Sequence, residues 1–210
     1  MGMTAEEILS SEAFKKCAAF HGHACPGLAI GFKAAQALMA HMGVTQSPDE
    51  ELVAIVETDA CGADAIQVMT GCTLGKGNLI LKNYGKHAFS LADRKRGKVF
   101  RACLRSDAIV SDPEHLALFE KIRKGDAKVE EMEKFEQLRK KRLKEILEAD
   151  TDTLFTIEEI EADIPQKAKI VESAICDQCG EPTMVDLLQE RDGQKVCIPC
   201  EQRVPRKGGE

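Results

Sequence analysis

Two Cys-x-x-Cys pairs near the C-terminus constrain the fold of this chain more than any other sequence feature. Cys176 and Cys179 are separated from Cys197 and Cys200 by 17 residues. Two such turns can place four thiolates in a tetrahedron around one zinc ion, and a site with four protein ligands has no position for a substrate. The spacing therefore predicts a small structural zinc module that takes no part in catalysis.

The residues before this module are numerous enough for a second domain with its own core. Hydrophobic residues make up 43% of the chain, a proportion typical of globular domains. Ile164-Pro165 follows the last predicted strand and is expected to begin a linker. We therefore predict two domains, residues 1–165 and residues 166–210.

Apolar periodicity and cap residues predict both helices and strands in the first domain. Thr4 and Glu7 match a capping box, Pro26 suits the first turn of a helix, and Gly43 and Gly71 suit helix ends. Helices are expected at residues 4–20, 26–43, 58–71, 112–123 and 126–149. Short apolar or β-branched runs predict strands at residues 52–57, 79–81, 88–91, 98–104 and 153–157.

The stretch His21-Gly-His-Ala-Cys-Pro-Gly27 places three candidate metal ligands within five residues. It precedes a predicted helix, whose N-terminus favours an anion or a thiolate. Imidazole and thiolate groups are ligands that zinc and similar metals prefer. A metal site at His21, His23 and Cys25 is one interpretation. Two ordinary loop histidines beside a small buried cysteine are the other.

A second group of candidate residues surrounds the predicted helix at 58–71. Cys61 falls in its first turn, where the helix dipole lowers the pKa of a thiol, and Asp64 shares its face. Cys72 follows the helix, and the glycine-rich loop after it could hold an anion through Lys76 and backbone N–H groups. The alternative interpretation is a capped helix with two small buried cysteines.

Charge and composition argue against several classes of protein. The formal net charge is −6, and residues 171–210 contain five Lys or Arg against eight Asp or Glu, so binding to nucleic acid is not expected. No apolar run reaches the length of a membrane span, and the start of the sequence lacks a signal-peptide pattern, so a cytoplasmic location is expected. In that compartment, nine cysteines indicate metal sites or reactive thiols rather than disulfides.

Four motifs resemble FmdE, a family of formylmethanofuran dehydrogenase subunits, over roughly residues 10–160. They are His21 to Phe32, Cys61-Gly-Ala-Asp-Ala-Ile-Gln67, Thr70-Gly-Cys-Thr-Leu-Gly-Lys-Gly-Asn-Leu79 and Tyr84-Gly-Lys-His-Ala-Phe89. The resemblance implies an α+β fold, with a mixed-sheet core domain, flanking helices and a homodimer. It also implies a link to one-carbon metabolism and to subunits of a molybdenum or tungsten oxidoreductase.

The C-terminal module carries a second resemblance. Its start, Cys176-Asp-Gln-Cys-Gly-Glu-Pro182, is similar to the zinc finger of the DksA/TraR regulator family. This similarity covers about 30 residues and implies a treble-clef-like finger, without fixing a function.

The FmdE resemblance also unites the two groups of candidate residues in one core metal site. The implied ligands of this second metal, expected to be zinc, are His21, His23, Cys61 and Cys72. His23 and Cys61 would be the catalytic pair, with an open position for water or substrate. Asp64 and Lys76 would lie close by as cofactor-binding groups. Cys25 is interpreted as a helix cap or core residue, and which of His21, Cys25 and Cys72 complete the site stays open.

Three functions are compatible with these features. The first is a metal-binding accessory subunit, or a small metal- or thiol-site protein, linked to formylmethanofuran dehydrogenase-type metabolism. The second is a regulator that senses a metal or metabolite and uses its finger to bind a protein or nucleic acid. The third is a stand-alone hydrolase or thiol enzyme that uses Cys61. Whether the chain is catalytic by itself is left open by the sequence.

Overall fold

The computed structural model describes residues 2–109 and 112–202, and it divides the chain into two compact units. The division falls between Lys167 and Ala168, two residues after the predicted boundary. The helices of the first unit are α1 (Ala5–Ser10), α2 (Glu12–His21), α3 (Pro26–Met42), α4 (Gly62–Thr70), α5 (Pro113–Lys124), α6 (Val129–Glu148) and α7 (Thr151–Leu154). Its strands are β1 (Leu52–Val56), β2 (Leu79–Leu81), β3 (Ala88–Asp93), β4 (Lys98–Leu104) and β5 (Phe155–Glu159). No helix in the described ranges is both long enough and apolar enough to cross a membrane.

The N-terminal segment forms two helices where the sequence predicts one. The predicted capping box begins α1, because the Glu7 carboxylate accepts a hydrogen bond from the Thr4 N–H at 2.8 Å. Ser11 then adopts an extended conformation between α1 and α2. Its hydroxyl donates to the Ile8 carbonyl at 2.6 Å and accepts from the Phe14 N–H at 3.3 Å. One side chain thus satisfies the end of one helix and the start of the next, which makes the break favourable.

The five strands form one mixed sheet in the order β2-β1-β3-β4-β5. β1 is parallel to β2 and antiparallel to β3, and the remaining neighbours are antiparallel. Leu52, Ala54 and Val56 face the main core, where β1 packs against α4 and the neighbouring strands β3 and β4 pack against α3. The predicted α+β architecture, with a mixed sheet and flanking helices, is confirmed.

Two glycines allow α3 and α4 to pack at unusually close range. A Cβ atom added to Gly31 would lie 2.5 Å from the Cα atom of Gly62, closer than real side chains approach a backbone. A Cβ atom at Gly27 would lie 3.2 Å from the Cβ of Cys61. The glycines of α3 therefore bring the start of α4, with its cysteine, against the start of α3.

The start of α4 differs from its prediction. Thr58 and Asp59 are the caps expected from the sequence, but the N-cap is Cys61, which makes no side-chain capping bond. The Thr58 hydroxyl instead accepts from the Ala60 N–H at 3.2 Å, closing a turn before the helix begins. The carboxyl end of β1 therefore leads through this turn to Cys61, and α4 returns toward the opposite end of the sheet.

The second unit contains two hairpins followed by a short helix. Its elements are β6 (Ser173–Ile175), β7 (Pro182–Met184), β8 (Leu188–Arg191), β9 (Gln194–Cys197) and α8 (Ile198–Glu201). β6 pairs antiparallel with β7, and β8 pairs antiparallel with β9. The first Cys-x-x-Cys pair follows β6 and the second begins at the last residue of β9, in the order of the predicted treble-clef-like finger.

Candidate metal centres

The four cysteines of the second unit form one cluster. The sulfur atoms of Cys176, Cys179, Cys197 and Cys200 all lie within 4.8 Å of one another. The Sγ atoms of Cys179 and Cys197, which belong to different pairs, are 3.8 Å apart. Sulfur atoms bound to one tetrahedral zinc ion are separated by about 3.8 Å, so this cluster fits zinc.

Backbone hydrogen bonds organise the first Cys-x-x-Cys turn of this cluster. Gly180 has a φ of +71°, and its N–H donates to the Cys176 carbonyl at 2.9 Å. The Cys197 N–H, from the second pair, donates to the Cys176 Sγ at 3.2 Å. This bond stabilises a thiolate and lowers the pKa of Cys176 to about 6. A backbone N–H of β9, the strand that carries Cys197, therefore favours the thiolate form of Cys176, which is the form that binds a metal.

A second cluster lies in the first unit and contains His21, Cys25 and Cys61. One ligand atom from each residue lies within 4.8 Å of those from the other two. The Cys25 Sγ is 3.7 Å from the His21 Nε2. Nitrogen and sulfur ligands of one tetrahedral zinc ion lie about 3.5–3.8 Å apart, so these three donors fit a metal of that kind.

Three helix ends create the second cluster. His21 is the last residue of α2, which stops because Gly22 adopts a φ of +92°. Cys25 is the N-cap of α3, and its sulfur accepts the Leu28 N–H at 3.3 Å. Cys61 is the N-cap of α4, held against α3 by the contact at Gly27. Because the end of α2 and the starts of α3 and α4 meet here, one side chain from each can bring its donor atom to the same point.

Asp64 supports His21 from behind. Its Oδ2 atom lies 2.7 Å from the His21 Nδ1, which leaves the Nε2 atom directed toward Cys25. A carboxylate on the second ring nitrogen of a histidine ligand fixes its tautomer and raises its basicity. Asp64 therefore belongs to this site as a positioning group for a ligand.

His23 lies beside the cluster without joining it. Its ring centroid is 4.7 Å from that of His21, with an angle of 37° between the rings, and its side chain is exposed. Of the predicted ligands, the structure brings His21 and Cys61 together and leaves His23 outside the cluster. Cys25, assigned from sequence to a cap or the core, is both the cap of α3 and the third member of the cluster. Its position four residues after His21 was the signal available for this role.

Cys72 and Lys76 lie at the other end of α4. Cys61 precedes Gly62 and Cys72 follows Gly71, so the whole helix separates the two cysteines, by about 16 Å at 1.5 Å per residue. Cys72 is fully buried, and burial raises the pKa of its thiol. The Lys76 ammonium donates to the Asp49 carbonyl at 3.3 Å. The prediction that Cys72 and Lys76 lie beside Cys61 is therefore wrong, because α4 stands between them.

The prediction that the thiol of Cys61 has a lowered pKa is also wrong. Burial raises the pKa of Cys61, and the neighbouring Cys25 and Asp64 raise it further. Burial, the thiol of Cys25 at the start of α3 and the carboxylate of Asp64 thus together raise the pKa of the thiol at the start of α4. A bound cation would reverse this balance, because it favours deprotonated sulfur.

Comparison with known proteins connects both units to described families. Residues 20–156 match the family model "FmdE, Molybdenum formylmethanofuran dehydrogenase operon", which covers more than half of the chain. The chain belongs to the FmdE family. Residues 170–206 match the prokaryotic dksA/traR C4-type zinc finger. The FmdE assignment and the zinc finger predicted from the sequence are both confirmed, and the finger provides a zinc site.

Two relatives resemble almost the whole of this FmdE protein. A tungsten formylmethanofuran dehydrogenase FmdE-like protein from Syntrophus aciditrophicus, known from a crystal structure, is 27% identical in sequence. Its structure matches with a TM-score of 0.62, and the match covers 96% of this chain and 94% of that one. A probable S-adenosyl-L-methionine-binding protein of Archaeoglobus fulgidus is 32% identical over an alignment of 188 residues, and the match covers 86% of this chain. The chain spans about half of the length of this curated relative (50%).

Proposed function

We propose that this protein is a metal-binding accessory protein of formylmethanofuran dehydrogenase-type one-carbon metabolism, with an exchangeable metal in its FmdE domain. The cluster of His21, Cys25 and Cys61 is the observation that carries this proposal. Two thiolates and one imidazole are a ligand set that zinc accepts, and three protein ligands leave a position for water or substrate. When bound, such a metal supplies a Lewis acid.

The surroundings of the cluster support a metal rather than a packed core. The His21 side chain is 13% exposed and Asp64 35% exposed, so the site is accessible from solvent on the Asp64 side. A carboxylate in contact with the outer ring nitrogen, as Asp64 contacts His21, is common to histidine ligands of metals. When the two neighbouring thiols and the carboxylate are all ionised, their negative charges repel one another. A bound cation would offset this repulsion.

The metabolic context of the proposal comes from the family. The family model is named for an operon of molybdenum formylmethanofuran dehydrogenase, and the Syntrophus protein is named as an FmdE-like protein of the tungsten enzyme. We infer that this chain acts beside subunits of such an oxidoreductase, in the cytoplasm, where its nine cysteines, none of which forms a disulfide, remain reduced. The cluster would then serve that complex, either by holding a metal for it or by binding a small substrate.

X-ray absorption at the zinc edge tests the proposed core site directly. A finger with four sulfurs and a core site with two sulfurs predict an average of about three sulfur neighbours per zinc, with nitrogen or oxygen completing the shell. Restoring the metal-free protein with zinc, followed by removal of excess metal, provides the sample. A spectrum with four sulfurs per zinc, from one zinc per chain, would contradict the core site.

The second candidate function is regulation, and the finger favours it. The prokaryotic dksA/traR C4-type zinc finger matches residues 170–206 of the second unit, a likeness to a family of regulators. The excess of acidic over basic residues in residues 171–210 points to a protein partner rather than nucleic acid. Capture with the complete chain distinguishes the candidates: oxidoreductase subunits support the accessory function, and transcription proteins support regulation.

We also propose that the protein is a homodimer. Four apolar side chains on α5 and α6 are 44–63% exposed in one chain, namely Leu116, Phe119, Val129 and Met132. Covering them with a second copy would remove this apolar surface from water. We expect a sedimenting species of twice 23.0 kDa, and Leu116→Glu with Met132→Glu should shift it toward the monomer.

Leu74 supplies the matched control for the homodimer. It is 74% exposed and lies in the loop after α4, so Leu74→Glu should leave the dimer intact. A wild-type protein that sediments only as a monomer at micromolar concentration would contradict the proposal.

A further inference from the structure

A groove between α1, the loop before α3, and α6 shares no residue with either metal cluster. Its lining residues are Leu9, Ala24, Arg139, Lys140, Leu143 and Lys144. We propose that this α1–α6 groove binds a small amphipathic anion, an apolar body of a few carbon atoms that carries one carboxylate or a similar acidic group. The proposal does not depend on a metal in the FmdE domain.

The floor of the α1–α6 groove is apolar. Leu9 comes from α1, Ala24 from the loop, and Leu143 from the buried side of α6. The carbon stems of the basic residues on α6 extend this surface, since long cationic side chains lay their methylene groups on apolar neighbours. Such a floor holds hydrocarbon, because burying it removes apolar area from water.

The rim of the groove is cationic. Arg139 is paired with Glu136 at 3.2 Å, and Lys144 is paired with Glu6 at 2.6 Å. Among the described residues, Lys140 forms no ion pair. One ammonium without an ion pair beside an apolar floor matches a ligand with a single negative head and a hydrocarbon body, and Lys140 is the group that such a head would pair with.

The walls of the groove are fixed in place. The Glu148 carboxylate accepts the Ala5 N–H at 2.9 Å, so both Glu148 and the Glu6–Lys144 pair tie α1 to α6. The groove has a volume of about 280 Å³. This is at the small end for ligand sites and suits a short acyl or single-ring compound better than a peptide.

Nuclear magnetic resonance of the full-length isotope-labelled protein tests this site with three probes. Octanoate has both the charge and the hydrocarbon body, octan-1-ol lacks the charge, and acetate lacks the body. We expect octanoate to shift the signals of Leu9, Ala24 and Leu143, and to bind at least about tenfold more tightly than either control. Lys140→Glu should weaken octanoate by about tenfold or more, because the cation is replaced by a repulsive charge.

Lys95 supplies the matched control, since it is an exposed lysine in the turn between β3 and β4. Lys95→Glu should leave octanoate binding unchanged. Equal binding of octanoate and octan-1-ol, or unchanged binding in Lys140→Glu, would overturn the proposal. Groove signals that move with protein concentration and do not respond to octanoate would overturn it too, because they would assign the groove to a second copy.

Discussion

His21→Ala is expected to remove the core metal and leave the finger metal in place. The substitution deletes the only nitrogen donor of the cluster and leaves two sulfur atoms, which hold a metal far less tightly than three donors. The metal content should fall by about one per chain. Elemental analysis of the purified protein, combined with circular dichroism to verify folding, provides the measurement.

Two other histidines make this experiment specific. His41 lies at the end of α3, where its ring contacts the Ala37 carbonyl at 2.9 Å, far along the helix from the cluster. His41→Ala should keep both metals. His23→Ala should also keep them, because His23 stacks on His21 without entering the cluster. Loss of metal in His23→Ala but not in His21→Ala would show that the ligand set is wrong.

Asp64 provides a graded test of the same site. Asp64→Asn keeps the size of the side chain but removes the charge that orients the His21 ring. Loss of such an outer partner costs about 10- to 100-fold in metal affinity. The variant should therefore bind the core metal more weakly in competition with a chelator, while His21→Ala should lose the core metal and keep the finger metal. Unchanged affinity would leave Asp64 with no positioning function.

Cys176→Ser is expected to unfold the finger and leave the FmdE domain folded. Within residues 168–202, the part of the second unit that the structure describes, the buried residues are Cys176, Val196, Cys197 and Cys200, so three of the four are proposed zinc ligands. A unit with so little hydrocarbon in its core depends on its metal, and structural zinc supplies about 10–16 kcal/mol in zinc-finger peptides. We expect the loss of about one zinc per chain and rapid proteolysis confined to the second unit.

Cys103 supplies the control for the finger. It lies on β4, half-buried and outside both clusters, so Cys103→Ser should retain the zinc and the protease resistance of the tail. The melting of the FmdE domain should be the same in Cys176→Ser and the wild type. A finger that stays protected after the loss of Cys176 would contradict its dependence on zinc.

Several features of this protein follow from short-range chemistry, and the sequence predicts them for that reason. The Thr4 capping box, the glycine ends of α3 and α4, and the two Cys-x-x-Cys turns each depend on residues a few positions apart. The finger is predictable as a complete site because each half of its ligand set lies within one turn. Ser11 shows the limit of such reasoning, because a residue that suits both a helix end and a helix start leaves no trace in apolar periodicity.

The core cluster depends on tertiary structure. His21 and Asp64 are 43 residues apart in the chain, and their 2.7 Å contact exists only because α2 packs on α4. Cys25 displaces Cys72 as the third donor because α4 carries Cys72 to the far end of the sheet, whereas the glycines of α3 bring Cys61 to Cys25. The pKa of Cys61 likewise reflects neighbours that the sequence does not place. The sequence therefore determines which donors are available, and the packing of three helix ends decides which of them meet.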